Sequence, residues 1–195
     1  MKAIKIFGYI ILLFILFIIG FLFYMGGFSK IEISRGDFGP TEIIFSTHRG
    51  AYRNIGNSWN KFQKDLETAN LKECDALAIY LDPPGTPEDQ LRSILACKID
   101  ALPEESKLSL KTKFKSFTII KSEAVLSKFP FKNYFSYMLG PMKVYPKFTQ
   151  YLETEKIQPV VAYELYGVMD KTKEIEFVMP LGTTKEIYQS LYDAF

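Results

Sequence analysis

Residues 6–28 read IFGYIILLFILFIIGFLFYMGGF, 23 residues without a charged side chain. As a helix rising about 1.5 Å per residue the run is about 34 Å long, against a bilayer hydrocarbon core of about 30 Å. It can span a membrane, and that constrains everything after it to fold beside one. A cleaved signal peptide is the competing reading, because Lys2 and Lys5 give the chain a basic start. Such a peptide has an apolar stretch of about 7–15 residues before a small-x-small site. Here the run is longer, it ends in FYMGGFS, and the first cysteine is Cys74. An uncleaved anchor is the reading favoured. Lys2 and Lys5 precede the span, while Lys30 and Arg35 follow it. That bias expects a cytoplasmic N-terminus and a domain across the membrane, which in a bacterium is the periplasmic side.

Charge narrows the function of that domain. Lys2 and Lys5 are the only charged side chains before Ser29, so 22 of the 24 bases remain to face 22 acids. A domain of zero formal charge is a poor partner for nucleic acid, whose phosphates supply most of the affinity. One His and two Cys cannot assemble a His/Cys zinc site, and no carboxylate loop of recognisable spacing replaces it. No cofactor is expected. Cys74 and Cys97 flank a predicted hairpin and can lie near each other, but the reading favoured is a buried free thiol for each.

After a short connector at 29–40, hydrophobic periodicity alternates between two and about 3.6. TEIIFSTH (41–48) reads as a strand. Ile55, Trp59, Phe62, Leu66 and Ala69 then recur at spacings of 4, 3, 4 and 3, one face of a helix whose other side carries Lys61, Lys64, Asp65 and Glu67. ALAIYLD (76–82) and LRSILACKID (91–100) are strands about a Pro-Gly turn, PPGTPED. The same order returns about eighty residues later. EAVLSKF (123–129) is a strand after a stretch containing SFTII. Val144, Phe148 and Leu152, with Tyr145 and Tyr151 beside them, mark a helix. VVAYELY (160–166) and EIEFVMP (174–180) are strands. The fold class expected is therefore α+β, two βαββ units related by a pseudo-twofold axis, spanning 41–182. The crevice between such units is a default ligand site. Residues 183–195 form a C-terminal segment, in which Tyr188-Gln-Ser-Leu191 reads as amphipathic packing.

Catalytic motifs are few. There is no G-x-S-x-G, P-loop, dinucleotide fingerprint or C-x-x-C. His48 is the single imidazole, read as a surface or turn-capping residue. Glu164 stands out because it interrupts VVAYELY. On a strand it shares a face with Ala162 and Tyr166, not with other charges. An acid among aromatics is costly unless paired, so it invites a cation or a proton; the bland alternative is a solvent-exposed face.

HRGAY after the first strand, AIYLDPPGTPEDQLR, AYELYG, and the two βαββ units resemble the gyrase-inhibitor-like (GyrI-like) effector-binding domains. The resemblance runs from Ile31 to about Gly182. The anchor and PFKNYFSYMLGPMKVYPKFTQYL are most similar to the membrane-anchored, reticulophagy-receptor type of that family, though the long disordered tail of those receptors has no counterpart before Phe195. The family's helix-turn-helix fusion partner has no counterpart here either. The resemblance implies a ligand crevice in which Glu164 faces a cationic aromatic ligand. Tyr80 takes the equivalent place in the first repeat, Asp82 corresponds to Tyr166, and Trp59 walls the pocket.

Three functions follow. The leading one is a membrane-anchored, non-enzymatic binding module for a cationic or amphipathic small molecule. A protein-interaction adaptor, with Phe131, Tyr134, Phe135 and Tyr137 as its contact surface, is the second. The third is a hydrolase pairing Glu164 with Tyr80, Tyr163 or Tyr166 as acid and base.

Overall fold

A computed structural model describes residues 2–83, 85–168 and 171–195, so Pro84 of the Pro-Gly turn lies outside the described residues. The first element is an apolar helix, α1 (Lys2–Tyr24), of which Lys5–Tyr24 is long and apolar enough to cross a membrane. It stops four residues before the charge-free run does. Gly26, at φ 78°, donates to Phe23 O at 3.1 Å, and Gly27 donates to Leu22 O at 2.7 Å. This pair of bonds satisfies two orphan carbonyls at the helix end, and only glycine enters the left-handed position without steric cost. Met25, whose N–H still donates to Phe21 O at 2.9 Å, is fully buried.

The domain follows as β1 (Ser34–Phe38), β2 (Thr41–Arg49), α2 (Ile55–Thr68), β3 (Asp75–Tyr80), β4 (Arg92–Lys98), α3 (Glu104–Lys113), β5 (Lys115–Ile119), β6 (Ser122–Pro130), α4 (Ser136–Glu155), β7 (Ala162–Val168), β8 (Glu174–Pro180) and α5 (Gln189–Tyr192). One antiparallel sheet runs in the order β1-β6-β8-β7-β3-β4-β2-β5. The α+β class and the repeated βαββ unit expected from periodicity are present. The pseudo-twofold axis passes between β3 and β7 at the Ile79–Tyr163 pair, which relates Tyr80, opposite Ala162, to Glu164, opposite Ala78.

Two strands went unread. β1 lies inside the segment expected to be a connector, and its sequence SRGDF is polar because an edge strand needs no apolar alternation. It pairs with β6 of the second repeat, and β5 pairs with β2 of the first. Each repeat therefore carries the outermost strand of the other half of the sheet. Each half thus gains a fourth strand from the other repeat, and β1 and β5 form the two edges of the sheet.

Alternation along the strands divides the core. On one face α2 lays Phe62 and Leu66 on Ile44 and Leu95, while α4 lays Val144, Phe148 and Leu152 on Phe129, Ile175 and Phe177. On the other, Leu77, Ile79, Tyr163 and Val178 are covered by Tyr188 and Leu191 of the C-terminal segment. Tyr188 and Leu191 are thus packing residues, as expected. The cysteines correct the free-thiol reading: Cys74 and Cys97 are joined across the β3–β4 hairpin, their Cα atoms 5.3 Å apart. His48 is no surface residue either. It is buried, with Nδ1 2.8 Å from Ser58 Oγ and Nε2 3.4 Å from Ala51 O, which ties the end of β2 to α2.

Candidate functional site

Because α2 and α4 lie side by side on one face of the sheet, the ground between them is floored by β3 and β7. A cleft of about 2110 Å³ opens there. That exceeds the roughly 300–1,000 Å³ of ordinary small-molecule sites, so one ligand would fill only part of it. Glu164 stands at its centre, 3% exposed.

Three phenols from three elements converge on that carboxylate. Tyr145 of α4 donates to Oε1 at 2.7 Å, and Tyr166 of β7 donates to Oε2 at 2.8 Å. Tyr80 of β3 makes a longer bond to Oε2, 3.4 Å, and its hydroxyl lies 3.1 Å from that of Tyr166. Tyr166 reaches the acid two residues away through a bulge. Ala76 pairs with Gly167 and Leu77 with Leu165, which leaves Tyr166 as the extra residue. Gly167 sits at φ 65°, and Thr172 Oγ1 caps the carbonyls of Tyr166 and Val168. Bulges re-aim side chains in this way.

Burial dominates the electrostatics. It pushes the Glu164 carboxyl up to about 7, and the hydroxyls of Tyr145, Tyr166 and Tyr80 pull it only part of the way back. Those phenols are in turn driven well above their ordinary range, first by burial and then by the neighbouring carboxylate. Among the described residues, no Lys or Arg forms an ion pair with Glu164. An acid held this way is half-neutralised near neutral pH and lacks a cation of its own.

Around the tetrad the lining is aromatic. Trp59 meets Tyr166 edge-on at 6.1 Å between ring centroids, Tyr137 meets Tyr166 at 5.3 Å, and Tyr52 meets Tyr80 at 5.0 Å. The structure therefore brings Glu164, Tyr166, Tyr80 and Trp59 together. Asp82 lines the same cleft but is engaged elsewhere: Arg92 holds it with a fork of 2.6 and 3.1 Å and a backbone bond of 2.7 Å. Tyr163 faces the other side of the sheet, 2.7 Å from Tyr188 Oη, and cannot partner Glu164. Tyr145 is the residue that sequence reasoning missed as a site member. Its place beside Val144 and Phe148 marks it as helix packing, and only the tertiary approach of α4 to β7 turns its hydroxyl onto the acid. Among the described residues, no group of three His, Cys, Asp or Glu stands close enough to hold a metal ion.

No family model and no curated protein matches the chain. Solved structures do. SAV2435 bound to tetraphenylphosphonium superposes with a TM-score of 0.50 at 15% identity, over 80% of this chain and 96% of that one. The EcmrR C-terminal domain gives 0.56 at 10% identity, over 80% and 100%. An integron cassette protein from the mobile metagenome of Vibrio cholerae gives 0.50 at 13%, over 78% and 96%. In the EcmrR–DNA complex the match takes in 65% of EcmrR. Likeness at such identities speaks for architecture alone, and the architecture agrees: after its apolar N-terminal helix, this chain has the GyrI-like effector-binding fold.

Proposed function

We propose that the protein is a membrane-anchored, GyrI-like binding module for a lipophilic organic cation, held in the crevice between α2 and α4. The observation that carries this reading is Glu164: a buried carboxyl, hydrogen-bonded by phenols and raised to about 7, with no Lys or Arg paired to it among the described residues. A ligand cation would supply the missing charge. Phenol and indole faces at Tyr80, Tyr137, Tyr166 and Trp59 suit it, since cation–π contacts strengthen when desolvated. That SAV2435 was solved with tetraphenylphosphonium, itself a lipophilic cation, supports the same class of ligand.

Anchoring rests on α1. The placement of the domain outside the cytoplasm is supported by Lys2 and Lys5 ahead of the span and by the Cys74–Cys97 bond, which persists in oxidising compartments. Thermal unfolding of the full chain in lipid nanodiscs, with cationic, neutral and anionic amphiphiles, tests the reading. A ligand that binds only the folded state adds RT ln(1 + [L]/Kd), about 2.7 kcal/mol at roughly a hundredfold excess over Kd. The expected result is a shift with cations that Glu164→Gln abolishes. Equal shifts with all three classes, or a cation shift that survives the substitution, would refute it.

A further inference from the structure

The end of the apolar helix does not merely lead to the domain. It is fastened to the start of α4 at three points. Phe21, one turn inside α1, packs edge-on against Phe135, with ring centroids 5.9 Å apart. Asn133 Nδ2 lies 3.3 Å from Sδ of the buried Met25. Lys143 Nζ donates to Gly27 O at 2.7 Å. The stretch from Asn133 to Lys143 is therefore held alongside the exit of the span.

That stretch is apolar on its outside. Tyr134 is 77% exposed, Phe135 52%, Met138 56% and Met142 68%. Phe135, Met138 and Met142 follow one another at spacings of three and four, a single helical stripe. Tyr134, Phe135 and Met138 also line the cleft that leads to Glu164.

Depth follows from α1 itself. Phe21 is three residues before the helix end, about 4.5 Å along the axis at roughly 1.5 Å per residue. A span that reaches the surface at Tyr24 puts Phe21 just beneath it, and Phe135, touching Phe21, comes to the same level. An exposed stripe of aromatic and thioether side chains at that level meets lipid, not water. Tyr and Trp belts and buried apolar helix faces occupy this layer of a bilayer, about 5–10 Å deep.

We infer that the exposed face formed by Tyr134 and Phe135, just ahead of α4, and by Met138 and Met142 in its first turns is a membrane-contact site. It partitions into the headgroup–acyl boundary and sets the mouth of the Glu164 crevice against the bilayer, so that a lipophilic cation enters from the lipid interface. This rests on the reading of α1 as an anchor. The occupant is the bilayer because the patch is continuous with the span.

The test uses the full chain in phosphatidylcholine vesicles doped with brominated lipid. Trp59 is the sole tryptophan, so Trp59→Phe provides a silent background. On it are placed Met138→Trp, Met142→Trp, Phe14→Trp in the middle of α1 and Leu108→Trp on the exposed side of α3. The proposal expects severalfold stronger quenching at 138 and 142 than at 108, greatest with bromines near the headgroup. At 14 quenching is expected to be greatest with bromines near the chain ends. Quenching at 14 but not at 138 and 142 would overturn the membrane-contact site and leave the anchor standing. No quenching at 14 would overturn both. Circular dichroism of each variant against the Trp59→Phe parent confirms that the compared proteins are folded.

Discussion

Tyr145, on α4, donates its hydroxyl to Oε1 of Glu164, on β7, across 2.7 Å. It is the shortest of the three phenol bonds to that carboxylate, and it joins a helix to the sheet at the centre of the cleft. Being a bond to the charged form, it works against the burial that raises the acid. The site is thus balanced between a desolvated carboxylate that favours a proton and phenols that favour the charge.

Tyr145→Phe should therefore act differently at different pH. Hydrogen bonds to charged groups contribute about 1.5–3 kcal/mol, neutral ones about 0.5–1.5. The variant should lose the larger amount near pH 9, where Glu164 is ionised, and the smaller near pH 5, where it is neutral. Its Glu164 should titrate above the wild-type value. Urea unfolding at both pH values checks the first point, and carbon-13 NMR of the labelled carboxyl checks the second.

Glu164 also leaves a mark on overall stability. Its pKa rises from an ordinary 4.5 to about 7 on folding, so the folded state holds the proton more tightly than the unfolded state. Below 4.5 both states are protonated and there is no penalty. As pH rises toward 7 the unfolded chain ionises first, and the fold loses stability until both are ionised. The loss at about 1.36 kcal/mol per pH unit comes to roughly 3 kcal/mol. Glu164→Gln should remove this component, so the ligand-free variant gains on wild type between pH 5 and 8. Denaturation midpoints measured against pH, wild type beside variant, report it directly.

Gly167 should resist substitution. At φ 65° an alanine is strained, and its Cβ would press on Thr172 Oγ1, which caps the bulge. Gly167→Ala should cost more than about 1 kcal/mol and weaken cation binding by misdirecting Tyr166. Unfolding free energy and cation affinity of the variant are the two readouts.

The C-terminal segment should be structural. Leu191 is fully buried against the sheet face opposite the cleft, and Tyr188 bonds Tyr163 there. Leu191→Ala should lower stability by about 2–5 kcal/mol without changing cation affinity per folded molecule. A binding loss at matched folded fraction would show that the two faces communicate.

Periodicity made much of this legible. Ile55, Trp59, Phe62, Leu66 and Ala69 announce α2, and the return of the same order after about eighty residues announces the duplicated sheet, because packing on one face enforces the pattern. β1 stayed hidden because SRGDF lies at an edge, where pairing makes no demand on side chains. The exchange of outer strands between repeats is a long-range pairing without a local signature. Glu164 showed itself by interrupting an apolar strand. Tyr145 did not, since a tyrosine packed on a helix and one aimed at an acid look alike in sequence. Asp82 does line the cleft, but its fork to Arg92, ten positions on, carries no signal in the sequence.

Pairing of a bound cation with Glu164 is read out by the proton it displaces. At pH 6 a carboxyl of pKa about 7 is about nine-tenths protonated, and a cation that pairs with it must displace that proton. Calorimetric titration of tetraphenylphosphonium into the full chain in nanodiscs, repeated in buffers of different ionisation enthalpy and corrected for empty nanodiscs, counts it. Close to one proton per cation should be released at pH 6, almost none at pH 9, and none from Glu164→Gln. Binding without proton release at pH 6, or the same release from the variant, would contradict that pairing.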